Sequence, residues 1–167
     1  FKDSQIRLGF YTANRKIFKA KQLDCNSGFN KEFYFVGRYI PGKGVLDLEI
    51  AFIEIQNEFP NEWKLNCIGF GPLLEKMCNH PKINHIGFVQ PIDLRKYTSK
   101  GGVFILPSHF EPWGLVVHEF SMAGFPLIVS DAVGSADQFV INGKNGYIFK
   151  SKSVDALKDS MLKIIYS

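Results

Sequence analysis

From residue 33 to the end of the chain, short apolar runs alternate with longer amphipathic segments. The runs are "FYFVG" (33–37), "KLNCIG" (64–69), "INHIGF" (83–88), "VFILP" (103–107), "PLIVS" (126–130) and "YIF" (147–149), each reading as a strand. Between and after them, residues 45–58, 72–79, 93–100, 114–123, 134–141 and 153–166 read as helices. Parallel neighbours need a long return path and a helix supplies it, so this order predicts right-handed crossovers between parallel strands. The fold class is therefore α/β, a Rossmann-like doubly wound parallel sheet of about six strands with flanking helices. Pro60 and Pro81 stop helices, "INGKNG" (141–146) is a turn before the last strand, and Ser153 is placed to cap the last helix.

Residues 1–32 fit this rhythm less well. They read as a lead-in or interdomain linker with a short strand near Ile6–Phe10 and a loop at "CNSGFN" (25–30), leaving 33–167 as the main domain. The chain begins on Phe1, not Met, which suggests a piece of a longer protein.

Composition narrows the classes. With 167 residues, 46% hydrophobic and 22% charged, the chain suits one buried globular unit, and 16 Phe make it aromatic-rich. The net charge of +4 is mild and its clearest cluster, "RKIFKAK" (15–21), forms no stripe along a helix, so nucleic acid is not an expected partner. Three scattered cysteines (Cys25, Cys67 and Cys78) argue for a reducing compartment and against a disulfide framework. Cys78, His80 and His85 lack paired ligand spacing and a fourth ligand, so no metal is expected. No run approaches the ~18 apolar residues of a membrane span.

In open parallel sheets, ligands bind outside the carboxyl ends of the strands, so the residues after each run carry the chemistry. After the first run, Gly37 to Lys43 spells G-x-x-x-x-G-K, but a Walker A loop would continue with Ser or Thr and position 44 is Gly. Arg38 and Lys43 ahead of a helix N-terminus still make an anion site suited to a diphosphate; the alternative is a glycine-rich turn with two surface bases. "GFGP" (69–72), with Gly69 and Gly71, permits close backbone approach before Pro72. In "GFVQ" (87–90), Phe88 and Val89 suit either a nucleotide base or the core.

The densest segment is "LPSHFEPWGLVVHEFSMAGFPLIVSD" (106–131). Glu111 lies in its loop, the N–H groups of Gly114, Leu115 and Val116 open the next helix toward a phosphate, and Glu119 sits about one turn in, where it can accept from ribose hydroxyls. Its neighbours Leu115, Val116, Phe120, Met122 and Ala123 are apolar, so Glu119 is expected to be buried and to need partners. His118 should project elsewhere and pack, while His109 stays open as a general base.

These pieces resemble the C-terminal domain of the retaining GT-B glycosyltransferases of family 4 (group 1). "FYFVGRYIPGKG", "IGFGP", "INHIGFV", "VFILPSHFEPWGLVVHEFSMAGFPLIVSD" and "INGKNGYIF" match in order over about 33–150, and "LGFYTANRKIF" (8–18) resembles the linker entering that domain. The resemblance implies that Arg38 and Lys43 hold and stabilise the donor diphosphate, Glu111 binds the donor sugar, Gly114 to Val116 hold the distal phosphate, Glu119 holds ribose, and Phe88 and Val89 receive the base. It implies no cofactor and no metal, a UDP- or GDP-sugar as substrate, and transfer of the sugar to a saccharide or glycolipid acceptor with retention, as in polysaccharide or glycolipid synthesis. Location would be cytoplasmic, with the full enzyme possible at the inner membrane face. The acceptor-binding N-terminal domain of that family is missing, so the chain alone is expected to bind donor weakly and not to transfer. Gly101-Gly102 stands where the family usually has Ala-Asp, with a local effect on helix termination expected. Two rivals are a noncatalytic nucleotide or carbohydrate binding module and a P-loop nucleotide triphosphatase.

Overall fold

The computed structural model describes residues 13–14, 16–18 and 30–167. The strand expected near Ile6–Phe10, the loop at 25–29 and most of the basic segment 15–21 lie outside them.

Six parallel strands form one sheet: β1 (Glu32–Val36), β2 (Lys64–Ile68), β3 (Ile83–Gly87), β4 (Val103–Leu106), β5 (Leu127–Ser130) and β6 (Gly146–Phe149). Their order is β3-β2-β1-β4-β5-β6. The chain thus builds outward from β1 to one edge, then returns to start again beside β1 with β4. The helices that follow β1 and β4 pack on opposite faces of the sheet, so this is its topological switch point, the usual ligand position in such sheets.

Alternate side chains of a strand face opposite ways, and β1 shows both faces covered. Phe33 meets Phe52 on α1 (Val45–Glu58) edge-on at 6.4 Å and stacks on Trp63 at 4.4 Å. Tyr34 meets Tyr97 on α2 (Arg95–Thr98) at 6.3 Å on the other side. That second face also carries α3 (Leu115–Met122), whose Phe120 stacks on Phe104 at 4.2 Å. β1, β4 and β5 are almost wholly buried, as strands sandwiched between helices must be. α5 (Val154–Ile165) lies beside α1, where Lys158 bridges Glu54 and Glu58. Ser153 caps α5 by accepting from the Ala156 N–H at 3.2 Å.

Three expected helices are shorter than their sequence windows. Residues 72–79 hold only a 3-10 turn, Leu74–Lys76. The cause is the Cys78 N–H, which donates to the buried Glu49 carboxylate at 3.1 Å and so leaves the helical ladder. Residues 93–100 form a 3-10 turn, Pro91–Leu94, running into the single turn of α2, and Gly101 and Gly102 follow it with left-handed φ of 77° and 132°. Residues 134–141 hold one turn, α4 (Ala136–Phe139). There Asn145 accepts from the Ile141 N–H and donates to the Phe139 carbonyl, closing the helix early.

Candidate functional site

Two features sit at the carboxyl edge of the sheet. Over β1, β2 and β3 opens an apolar pocket of about 350 Å³ lined by Val36, Gly37, Arg38, Ile68, Gly69, Phe70, Phe88 and Val89. Phe70 and Phe88 stand edge-to-face at 6.0 Å, 58% and 62% exposed. Large aromatic rings that exposed at a pocket mouth offer a flat apolar surface to a planar ligand. Gly37, Arg38, Gly69, Phe88 and Val89 are thereby brought together as the sequence suggested, and Val36, Ile68 and Phe70 join them. Phe70, between Gly69 and Gly71, was not singled out by the sequence.

The second feature lies at the β1/β4 switch point. The loop after β1 and the loop after β4 are stitched together: His109 and Phe110 both donate backbone N–H groups to the Gly42 carbonyl, at 2.9 and 3.3 Å. Across the same seam Lys43 Nζ pairs with Glu111 Oε2, and His109 Nε2 lies 2.7 Å from Asp47 Oδ2. Glu111 is itself fixed by backbone bonds, its N–H to the Ala132 carbonyl at 3.1 Å and its carbonyl from the Gly134 N–H at 2.9 Å. The Asp47 side of this seam carried no signal beyond an acidic residue in a helix's first turn.

Gly44 answers the Walker A question. It adopts φ +65°, and a Cβ there would stand 2.1 Å from the Pro107 carbonyl oxygen. No Ser or Thr fits, so this loop is not a metal-binding P-loop with a lost hydroxyl; the missing side chain is what lets the two loops touch.

Both adjoining helices present free donors. Among the described residues, the N–H groups of Val45 and Leu46 on α1 have no acceptor, nor do those of Gly114, Leu115 and Val116 at the start of α3. Gly114 takes φ +84°, and a Cβ would meet Val133 at 2.9 Å and Glu111 at 3.1 Å. Unpaired N–H groups and the helix dipole together favour an anion.

Glu119 lies on α3, half-buried, and burial pushes its carboxyl up to about 7. No hydrogen-bond or ion-pair partner reaches it among the described residues. His118 packs as expected: its ring stacks on Phe139 at 4.6 Å, and its Nδ1 accepts from the Ala13 N–H at 3.3 Å. His85 is engaged by Tyr39 and by Glu49, whose Oε1 lies 3.1 Å from its Nε2.

The fold and these loops define a Rossmann-like domain with an apolar pocket beside an anion-favouring cleft. The family model for glycosyl transferases group 1 matches residues 20–167, and the chain belongs to that family. Among curated relatives, the alpha-monoglucosyldiacylglycerol synthase of Acholeplasma laidlawii is 36% identical over 160 residues, covering 89% of this chain and 39% of its own. A glycogen synthase of Mycobacterium tuberculosis is 30% identical over 141 residues, covering 80% and 34%. The chain thus spans between a third and two-fifths of the length of these relatives. Among solved structures, the lipopolysaccharide outer core galactosyltransferase WaaB superposes with a TM-score of 0.75 at 22% identity, over 99% of this chain and 48% of that one. The pneumococcal O-GlcNAc transferase GtfA, solved in complex with UDP and GlcNAc, gives 0.74 at 24% identity over 89% and 31%. These likenesses support the GT-B-type Rossmann architecture. No helix among the described residues is long and apolar enough to cross a membrane.

Proposed function

We propose that this chain is the donor-binding domain of a retaining glycosyltransferase that uses a nucleoside diphosphate sugar, UDP- or GDP-linked. The observation that carries the reading is that the single loop leaving β1 lines the Phe70/Phe88 pocket with Gly37 and Arg38 and, a few residues on, forms the seam in which Gly42 accepts from His109 and Lys43 pairs with Glu111. A planar base with a diphosphate behind it has that shape and charge order.

In this reading the base enters against Phe88 and Val89, Glu119 accepts from ribose hydroxyls, and Gly114, Leu115 and Val116 donate to the distal phosphate. Arg38 and Lys43 neutralise the diphosphate, with Gly37, Gly69 and Gly71 keeping the backbone low beneath it. Glu111 releases Lys43 to the phosphates and receives sugar hydroxyls. The bond from the anomeric carbon to the phosphate oxygen breaks with its electron pair leaving on that oxygen; the acceptor oxygen bonds to the same face, and its proton passes to the departing phosphate. Fixed cations and helix donors already aimed at the developing charge lower the barrier electrostatically, without a divalent ion or a cofactor in the role. A second domain would supply acceptor recognition, so residues 1–167 alone would bind donor weakly and not transfer. The acceptor would be a saccharide or glycolipid, and the setting the cytoplasmic side of a cell.

Thermal shift with UDP, GDP, ADP, their sugars and ATP, each with and without EDTA, tests this. Stabilisation by a diphosphate that survives EDTA is expected. Magnesium-dependent ATP binding would overturn the reading, and diphosphate binding by a full-length protein with no sugar transfer would leave a binding module instead.

A further inference from the structure

We propose that His109 is the counter-charge that keeps the N-terminus of α1 open to an anion, and is thus a positioning residue for the donor diphosphate; this rests on the donor-binding reading above. Asp47 stands third in α1, in the turn whose N–H groups have no acceptor. A carboxylate there suits the helix dipole but repels a diphosphate drawn to the same donors.

His109 meets that carboxylate, Nε2 to Oδ2 at 2.7 Å, with both side chains about a quarter exposed. The backbone beneath the ring is held in place, with the His109 main-chain N–H donating to the Gly42 carbonyl at 2.9 Å. The ring also fills the space beside Gly44, where a Cβ would lie 3.3 Å from Nε2. The other charged groups on the adjoining loops, Lys43 and Glu111, are paired with each other. With an imidazolium at 109, the Asp47 pair is neutral and the ligand meets only cations and N–H donors. With a neutral group there, the ligand meets one more fixed anion. The nitrogen held by Asp47 is also turned toward α1, which sets His109 apart from a general base.

The test is the Kd of UDP and of uridine, and of GDP and guanosine, for the full-length protein at pH 6. His109→Gln should weaken diphosphate binding about tenfold at pH 6, the order of one added charge at moderate dielectric, while the nucleosides hold. Adding Asp47→Asn to that variant should restore diphosphate affinity to near wild type. His109→Lys, which supplies a positive charge at the same position, should bind like wild type. A double variant no better than His109→Gln, nucleoside losses equal to those of the diphosphates, or a His109→Lys variant as weak as His109→Gln would overturn this inference alone. Wild-type protein that binds no nucleoside diphosphate would overturn the donor-binding reading and this inference with it.

Discussion

Lys43, on the loop after β1, and Glu111, on the loop after β4, form an ion pair at the switch point of the sheet, their side chains 23% and 15% exposed. The sequence assigned them to different parts of one ligand, and the pair brings the two side chains together across the seam between the loops. Lys43→Ala should cost diphosphate binding about ten- to a hundredfold, the scale of a lost charge-assisted hydrogen bond, and leave nucleoside binding nearly intact. Calorimetry with UDP and uridine measures both; equal losses would mean that Lys43 is not on the phosphates.

Gly44 predicts a failure that a motif-based repair would meet. Gly44→Ser would complete a Walker A string, yet its Cβ would stand 2.1 Å from the Pro107 carbonyl at φ +65°. Overpacking against backbone plus left-handed strain should lower stability by about 3 kcal/mol or more. Urea denaturation of the variant reads this, and a midpoint equal to wild type would show that the two loops are not in contact.

How much of this was legible in the sequence differs by the range of the forces involved. Strands were legible because buried apolar runs such as "VFILP" admit few other readings, and α1 was placed to the residue because its periodicity runs for four turns. The windows at 72–79 and 134–141 failed because a single distant or looping side chain, Glu49 in one and Asn145 in the other, takes backbone groups the helix would have used. Arg38, Lys43, Phe88 and Glu119 were singled out because each follows a strand or lies in the first turns of a helix, where this topology puts ligands. Asp47 was missed because its significance depends on His109, 62 positions away, meeting it across the seam. Phe70 was missed because nothing local distinguishes an exposed phenylalanine from a buried one.

The Phe70/Phe88 pair predicts the reverse selectivity of Lys43. Phe88→Ala removes half of an edge-to-face contact and most of one pocket wall, so uridine and UDP should lose affinity by similar factors, about five- to tenfold for a lost aromatic surface. Stability should change little because the ring is 62% exposed. Titration of both ligands in parallel decides it; a loss confined to UDP would move the base elsewhere.

Glu119 joins stability to pH. Its carboxyl is raised to about 7 by burial, so the fold favours the neutral form. Its contribution is therefore undiminished below the ordinary carboxylate range and is lost as pH rises through about 7, the opposite of a salt-bridged carboxylate. Glu119→Gln copies the neutral form at every pH. The two proteins should unfold alike near pH 4.5, and the variant should become more stable by about 1–2 kcal/mol at pH 8.5, after discounting for the carboxyl's partial exposure. The same substitution turns one of the two carboxylate acceptors that the donor-binding reading offers to ribose into an amide donor and removes the charge, so nucleotide binding should weaken while the fold strengthens, a trade expected of a group kept for function. Chemical denaturation across pH, with UDP titration beside it, measures both effects. A variant less stable than wild type at pH 8.5 would show that the Glu119 carboxylate is satisfied in the fold and not waiting for a ligand.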